Sequence, residues 1–401
     1  MLRTPTPARL TLLAATLAAP LALASLGACN ALTRRGADTG GDVVIGLAYN
    51  PQRAGMEEIA RGAALAAELL SRDSAARSAG IRFAVHEPPH AVTSAVEIAL
   101  RLRDDRAVVG IVGDAESGRT LDELPVLEDL DHGGAHAVVA ISPTATSTAL
   151  SGRSPWIFRV TPTDAAVSKA AAVYLADSLG ARRAAVVYRN DSYGRDWTGA
   201  FLPVFRARGG AVVQRDPYVA GITEWAAIAA YTRQSGADAV LFPGSAEDAA
   251  EYLRALRQAG VHVPFVGGDA VASIASQAEF AGARFATPYD AAHAPNTPAS
   301  AAFVTAYRAR WHDVPTARAA LSYDAAMVIG RAVLAVGRDR LRIRNWVAGV
   351  GTAHPAIAGA TGTIAFDRQH DARDRSVTIV SVAGATPAAG TTTAATMGGT
   401  R

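Results

Sequence analysis

Val43-Val44-Ile45-Gly46-Leu47 is a short, uninterrupted apolar run, and it reads as a strand buried on both faces. After a polar loop, residues 59–70 place Ala and Leu on one face at helical spacing, which predicts a helix packed on that strand. The pairing recurs along the chain. Residues 108–112, 137–141, 184–188, 239–242 and 264–267 are further apolar strands, with helices predicted at 91–103, 165–179, 197–207 and 246–259. Strands alternating with helices of this length predict βαβ units and parallel sheets, an α/β fold. Asp164 is expected to cap the helix it opens and Gly180 to stop it. Beyond Tyr289 the order changes, and 299–311 and 317–336 are expected as consecutive helices with no strand between them.

The two ends read differently. Arg3 and Arg9 give a positive start, and the apolar segment 10–26, broken by Pro20, is short for a membrane span. Leu26-Gly27-Ala28-Cys29 then resembles the lipobox of bacterial lipoproteins, and Cys29 is the single cysteine, with no partner for a disulfide. The organisation expected is a signal peptide at 1–28, a lipid anchor on Cys29, a tether at 29–41 and a disordered Ala/Gly/Thr tail at 384–401. The stretch between is long for one domain and suits two.

Charge excludes some partners. Without Arg3 and Arg9 the chain carries 37 basic against 36 acidic residues, and no basic stripe of the kind that binds nucleic acid is visible. His86-Glu87-Pro88-Pro89-His90 has the letters of a zinc-protease motif, but that chemistry needs both histidines on one helix face, and Pro88 and Pro89 forbid the helix. Lys169 follows no glycine-rich loop, so no P-loop is present, and there is no G-x-S-x-G elbow. No metal site and no cofactor are expected; a Ser-His-Asp triad assembled from distant residues is the remote hydrolase alternative.

Ligands of doubly wound sheets sit beyond the carboxyl ends of the strands. Four loops at such ends are polar: Gly113-Asp114-Ala115-Glu116-Ser117, Ser142-Pro143-Thr144-Ala145-Thr146, Asn190-Asp191-Ser192-Tyr193-Gly194 and Gly267-Gly268-Asp269. Each alone fits a helix cap. Together they offer hydroxyls and N–H groups at helix starts, at Ser117 and Thr146, and a carboxylate at Asp269, a set that suits a zwitterion.

These loops, with Phe158-Arg159-Val160-Thr161-Pro162, Phe303 and Tyr307, Ser322-Tyr323-Asp324-Ala325, Gly359-Ala360-Thr361-Gly362 and Phe366-Asp367, resemble in order and spacing the branched-chain amino-acid-binding (Leu/Ile/Val-binding) family of ABC-transporter solute receptors. The resemblance implies a type I periplasmic binding protein fold. Two Rossmann-like lobes, 42–162 plus 289–358 and 163–288 plus 359–383, are then joined by a three-strand hinge that closes on the ligand. It places the carboxylate grip on Ser117 and the Thr146 backbone, the ammonium grip on the Thr144 carbonyl, the Thr146 hydroxyl and Asp269, and an aromatic contact on Tyr193. The chain departs from the family in the loop 50–56, in the stretch 86–90, and at Ser245, a pocket position often aromatic. Arg53, where the family usually has no arginine, reads either as a surface charge or as a second anion contact favouring an acidic or amide side chain. What this implies is a monomeric, exported, lipid-anchored solute-binding protein, not an enzyme. It would face the periplasm or cell exterior and hand an amino acid or analogue to an ABC permease; the alternative is a ligand sensor of the same fold.

Overall fold

The computed structural model describes residues 41–295 and 297–383, and the backbone of 395–396. The expected signal peptide, Cys29, the tether up to residue 40 and most of the tail lie outside these residues.

The strands β1 (Gly41–Leu47), β2 (Ile81–His86), β3 (Val108–Val112), β4 (Ala140–Ser142) and β5 (Ile157–Arg159) form a parallel sheet in the order β2-β1-β3-β4-β5. A second sheet holds β6 (Arg183–Arg189), β7 (Ala211–Tyr218), β8 (Ala239–Phe242), β9 (Phe265–Gly267) and β10 (Arg284–Thr287), parallel in the order β7-β6-β8-β9-β10. After a small hairpin of β11 (Ile357–Gly359) and β12 (Gly362–Ile364), β13 (Thr378–Ser381) and β14 (Ala395–Thr396) extend that sheet antiparallel beyond β10.

Strand side chains alternate between faces, so a strand covered on both sides must be apolar throughout. In β1, Val43, Ile45 and Leu47 enter a core with the helices Glu57–Ser71 and Ala317–Val336, while Val44 packs into another with Ala95–Asp104 and Ser117–Leu127. In β6, Ala185 and Val187 face the helices Trp225–Ser235 and Ala246–Gln258, and Ala184 and Val186 face Asp164–Val173 and Ser192–Ala207. The helix Ala317–Val336 is long and apolar enough to cross a membrane, but Leu321 and Ile329 on it are fully buried in the first sheet's core.

Several expectations need correction. The cap of the helix Asp164–Val173 is Thr163, whose hydroxyl accepts from the Ala166 N–H; Asp164 is the first helical residue and is fully buried. Gly180 does take the left-handed conformation expected of a helix stop. A third helix, Arg340–Ala348, follows the expected pair. Gly41, expected in the tether, opens β1. Ala360, Ile364 and Phe366, expected in the second lobe, are buried in the core of the first sheet, because the Asp324 carboxylate there accepts the Ala360 and Thr361 N–H groups at 2.6 and 3.0 Å.

Candidate functional site

In both sheets the strand order reverses beside the first strand of the unit, between β1 and β3 and between β6 and β8. Loops leaving neighbouring strands at such a point diverge to opposite faces and leave a crevice. A cavity of about 530 Å³ lies there, lined from the β1 loop (Arg53, Met56), the β3 loop (Glu116, Ser117), the β6 loop (Asp191, Tyr193), the β8 loop (Ser245) and the β9 loop (Asp269). The start of the helix Ala317–Val336 closes one side.

Ser117 is the first residue of its helix, and it and Gly118 line the cavity. The opening N–H groups of a helix have no acceptor within it and carry the positive end of its dipole, so this wall favours an anion. The Ser117 hydroxyl accepts the Ser147 N–H at 3.1 Å, which fixes its orientation. Beneath it, Asp114 and Glu123 are fully buried beside Arg119, whose Nε donates to Asp114 at 2.8 Å. Burial pushes the Asp114 carboxyl up to about 6 and Glu123 well above its usual range.

The opposite wall is acidic. The Tyr193 hydroxyl donates to Asp269 Oδ1 at 3.0 Å, an approach that depends on Gly268, where a Cβ would stand 2.1 Å from that hydroxyl oxygen. Burial raises Asp269 to about 6, and the Tyr193 bond pulls it back in part. Asp164, fully buried where Asp269 is half-buried, is driven well up by desolvation and by the charge of Asp269. Asp269 does not cap the 3-10 segment Asp269–Ser276: the cap residue is Gly268, with no side-chain bond. An acid held in a poorly solvated wall, with one donor and space in front of it, is set to receive an ammonium group.

Six of the seven residues singled out as ligand contacts line this cavity: Arg53, Ser117, Thr144, Tyr193, Ser245 and Asp269. Thr146 does not; it is buried behind the wall, where its carbonyl accepts the Asp164 N–H at 2.7 Å. The Thr144 hydroxyl donates to the Ala115 carbonyl at 2.7 Å, joining the β3 and β4 loops. The Ser245 hydroxyl accepts the Asp248 N–H and donates to the Asp248 carboxylate at 2.7 Å, so it caps its own helix. Arg53 is in an ion pair with Glu116 at 2.5 Å and reaches Glu247 at 4.0 Å. Sequence reasoning missed Glu116 as that partner, and it missed Arg318, in the first turn of the helix Ala317–Val336, as a lining residue. The signal for Arg318 was present: Thr316 is a cap residue, and the helix it opens begins at the cavity. His86 ends β2 and His90 lies in the loop after it, so the two do not share a helix, and among the described residues no group of three or more His, Cys, Asp and Glu could hold a metal ion.

Residues 50–389 match the sequence profile of the periplasmic binding protein family. The chain therefore belongs to that family, the group that includes the branched-chain amino-acid-binding proteins it resembles. These are exported binding proteins rather than enzymes. An amino acid binding protein of Pseudomonas aeruginosa is 28% identical over 234 residues, which span 57% of this chain and 61% of that one, so the match leaves more than a third of the relative uncovered. In structure the chain is similar to the branched-chain amino acid transporter substrate binding protein of Streptococcus pneumoniae solved with isoleucine, with a TM-score of 0.76 at 22% identity over 89% of this chain and 100% of that one. It is also similar to an R. palustris solute binding protein solved with benzoate, with a TM-score of 0.72 at 18% identity over 89% and 96%.

Proposed function

We propose that this protein is the solute-binding component of an ABC transporter and takes an amino acid or a close analogue in the cavity between its two sheets. The observation that carries the reading is the cavity's polarity: the open helix start at Ser117 on one wall and the Asp269–Tyr193 pair on the other. The α-carboxylate goes to the first and the α-ammonium to the second. Amino-acid ligands of the relatives agree with this polarity. The two sheets form the lobes of a clamp, broadly 42–162 plus 289–358 and 163–288 plus the chain's end, with 359–366 assigned to the first lobe on its packing. Ligand bridging both lobes favours the closed arrangement by its differential affinity for it.

A thermal-shift screen over amino acids, short amides and aromatic acids tests the reading. A ligand at a hundredfold excess over Kd adds about 2.7 kcal/mol of stability. A compound carrying both α-ammonium and α-carboxylate should give the largest shift, and small-angle scattering should show a smaller radius of gyration with it bound. A saturating ligand that leaves the radius unchanged would rule out the clamp.

Anchoring is the second part of the reading. Cys29, in Leu26-Gly27-Ala28-Cys29, is acylated and holds the protein at the membrane beside its permease. Cys29→Ser should appear in the soluble fraction or remain unprocessed; a cleaved Cys29→Ser protein that still sediments with membranes would place the anchor elsewhere.

A further inference from the structure

We propose, resting on the amino-acid reading above, that Arg318 selects ligands with a second carboxylate at the end of the side chain, so that the preferred class is acidic rather than aliphatic amino acids. The case starts from the charges around the cavity. Arg53 is paired with Glu116 at 2.5 Å, Arg119 with Asp114 at 2.8 Å and Arg189 with Asp191 at 3.0 Å. Among the described residues Arg318 is the one cavity-lining guanidinium with no hydrogen bond and no carboxylate within 4.0 Å. Its field nonetheless reaches acids in and around the cavity: it opposes part of the rise that burial gives Glu58 and Asp269, and it is one of several influences that lower Glu247. Glu58 is already engaged by the Thr316 hydroxyl.

Arg318 sits against the β1 loop. Its Nη1 lies over Gly55, where an added Cβ would come within 2.8 Å of it, and Gly55 has φ +76°, a conformation that other residues adopt at a cost. Glycine thus both turns the β1 loop and leaves room for the guanidinium at the cavity edge. A planar guanidinium presents several donors in a fork that matches a carboxylate. With an ammonium at Asp269 and the α-carboxylate at the Ser117 helix start, two lining charges among the described residues remain without a partner, the exposed Asp122 and the half-buried Arg318, and an acidic side chain complements the less solvated of them, Arg318. A cavity of about 530 Å³ has room for such a side chain. The anion contact considered for Arg53 thus passes to Arg318, because Glu116 already occupies Arg53.

Calorimetric titration of the full-length protein with L-glutamate, L-aspartate, L-glutamine and L-leucine tests this, for the wild type and for Arg318→Met, which keeps the length of the side chain but not its charge. Thermal melts confirm folding, and Arg318→Gln serves if the methionine variant is unstable. An acidic amino acid should bind the wild type about tenfold or more tighter than leucine, and the substitution should remove that preference while leaving leucine binding in place. Leucine or another neutral amino acid binding tightest, unaffected by Arg318→Met, would overturn the acidic assignment and leave the amino-acid reading standing. Glutamine exceeding glutamate would also overturn it, in favour of an amide. Binding of benzoate with no amino acid bound would overturn the reading itself.

Discussion

Asp269→Asn weakens ligand binding about ten- to a hundredfold, because it removes a charge-assisted hydrogen bond of about 1.5–3 kcal/mol from a wall with little water. The amide keeps the shape of the carboxyl and can still accept from the Tyr193 hydroxyl, so the empty protein should not be destabilised, and above about pH 6 it should be somewhat more stable because no desolvated charge remains. The same residue sets a pH dependence. Its carboxyl stands at about 6 in the empty protein against 3.8 unfolded, raised by burial despite the Tyr193 donor and the field of Arg318. An acid with a raised pKa in the folded state is best tolerated when protonated. Stability of the empty protein therefore falls as pH rises from about 4 to about 6 and is level above that. Affinity for an ammonium ligand runs the other way, rising through the same window and reaching a plateau above it. Between pH 7.5 and pH 5 the wild type should lose about tenfold in affinity, and Asp269→Asn should lose the dependence. Tyr193, Asp164 and Arg318 also bear on this wall, and burial drives the Asp164 carboxyl above its usual range as well. Titration calorimetry of both proteins at the two pH values measures this. Equal affinity of variant and wild type would remove the reason for an amine in the ligand.

Asp324→Ala should cost the protein about 3–5 kcal/mol of folding stability. Asp324 is fully buried on the helix Ala317–Val336. Its two oxygens accept the Ala360 N–H at 2.6 Å, the Thr361 N–H at 3.0 Å and the Thr361 hydroxyl, and the guanidinium of Arg375, itself 4% exposed, lies 3.9 Å away. Alanine leaves two buried N–H groups without their acceptor and a buried cation without its counter-charge, and each such loss is costly. Urea unfolding should show a lower midpoint with an unchanged slope. A loss below about 1 kcal/mol would mean that water replaces the carboxylate, and the segment around 360 would not be held as described. The contact also gives physical content to two sequence motifs, since Ser322-Tyr323-Asp324-Ala325 and Gly359-Ala360-Thr361-Gly362 are halves of one cap.

The residues that declared the fold were those with no alternative environment. Val43, Ile45 and Leu47 on one face of β1 and Val44 on the other leave no polar side, so the strand must be covered twice. The strand β7 was missed because it is an edge: it pairs only with β6 and can carry Gln214, Arg215, Asp216 and Pro217, which a central strand would exclude. The helix Arg340–Ala348 hid for a similar reason, burying only Ile343 and Val347 among its arginines. At the site, loop positions were legible from strand ends, but partners were not. Ser245 does line the cavity, but its hydroxyl is taken up in capping its own helix through Asp248, three positions later. That Arg53 is occupied and Arg318 is not follows from contacts between loops far apart in sequence, which no local pattern records.

The central claim, that the cavity grips an α-amino acid by its ammonium, is tested most directly by one competition measured by calorimetry. The tightest-binding amino acid is compared with the same carbon skeleton lacking the amine, and with benzoate, the ligand in the similar R. palustris structure. The amino acid should bind at least about tenfold tighter than its deaminated analogue, and benzoate should not compete with it. Equal binding of the deaminated acid, or displacement of the amino acid by benzoate, would contradict the account and mark the cavity as a site for simple carboxylates.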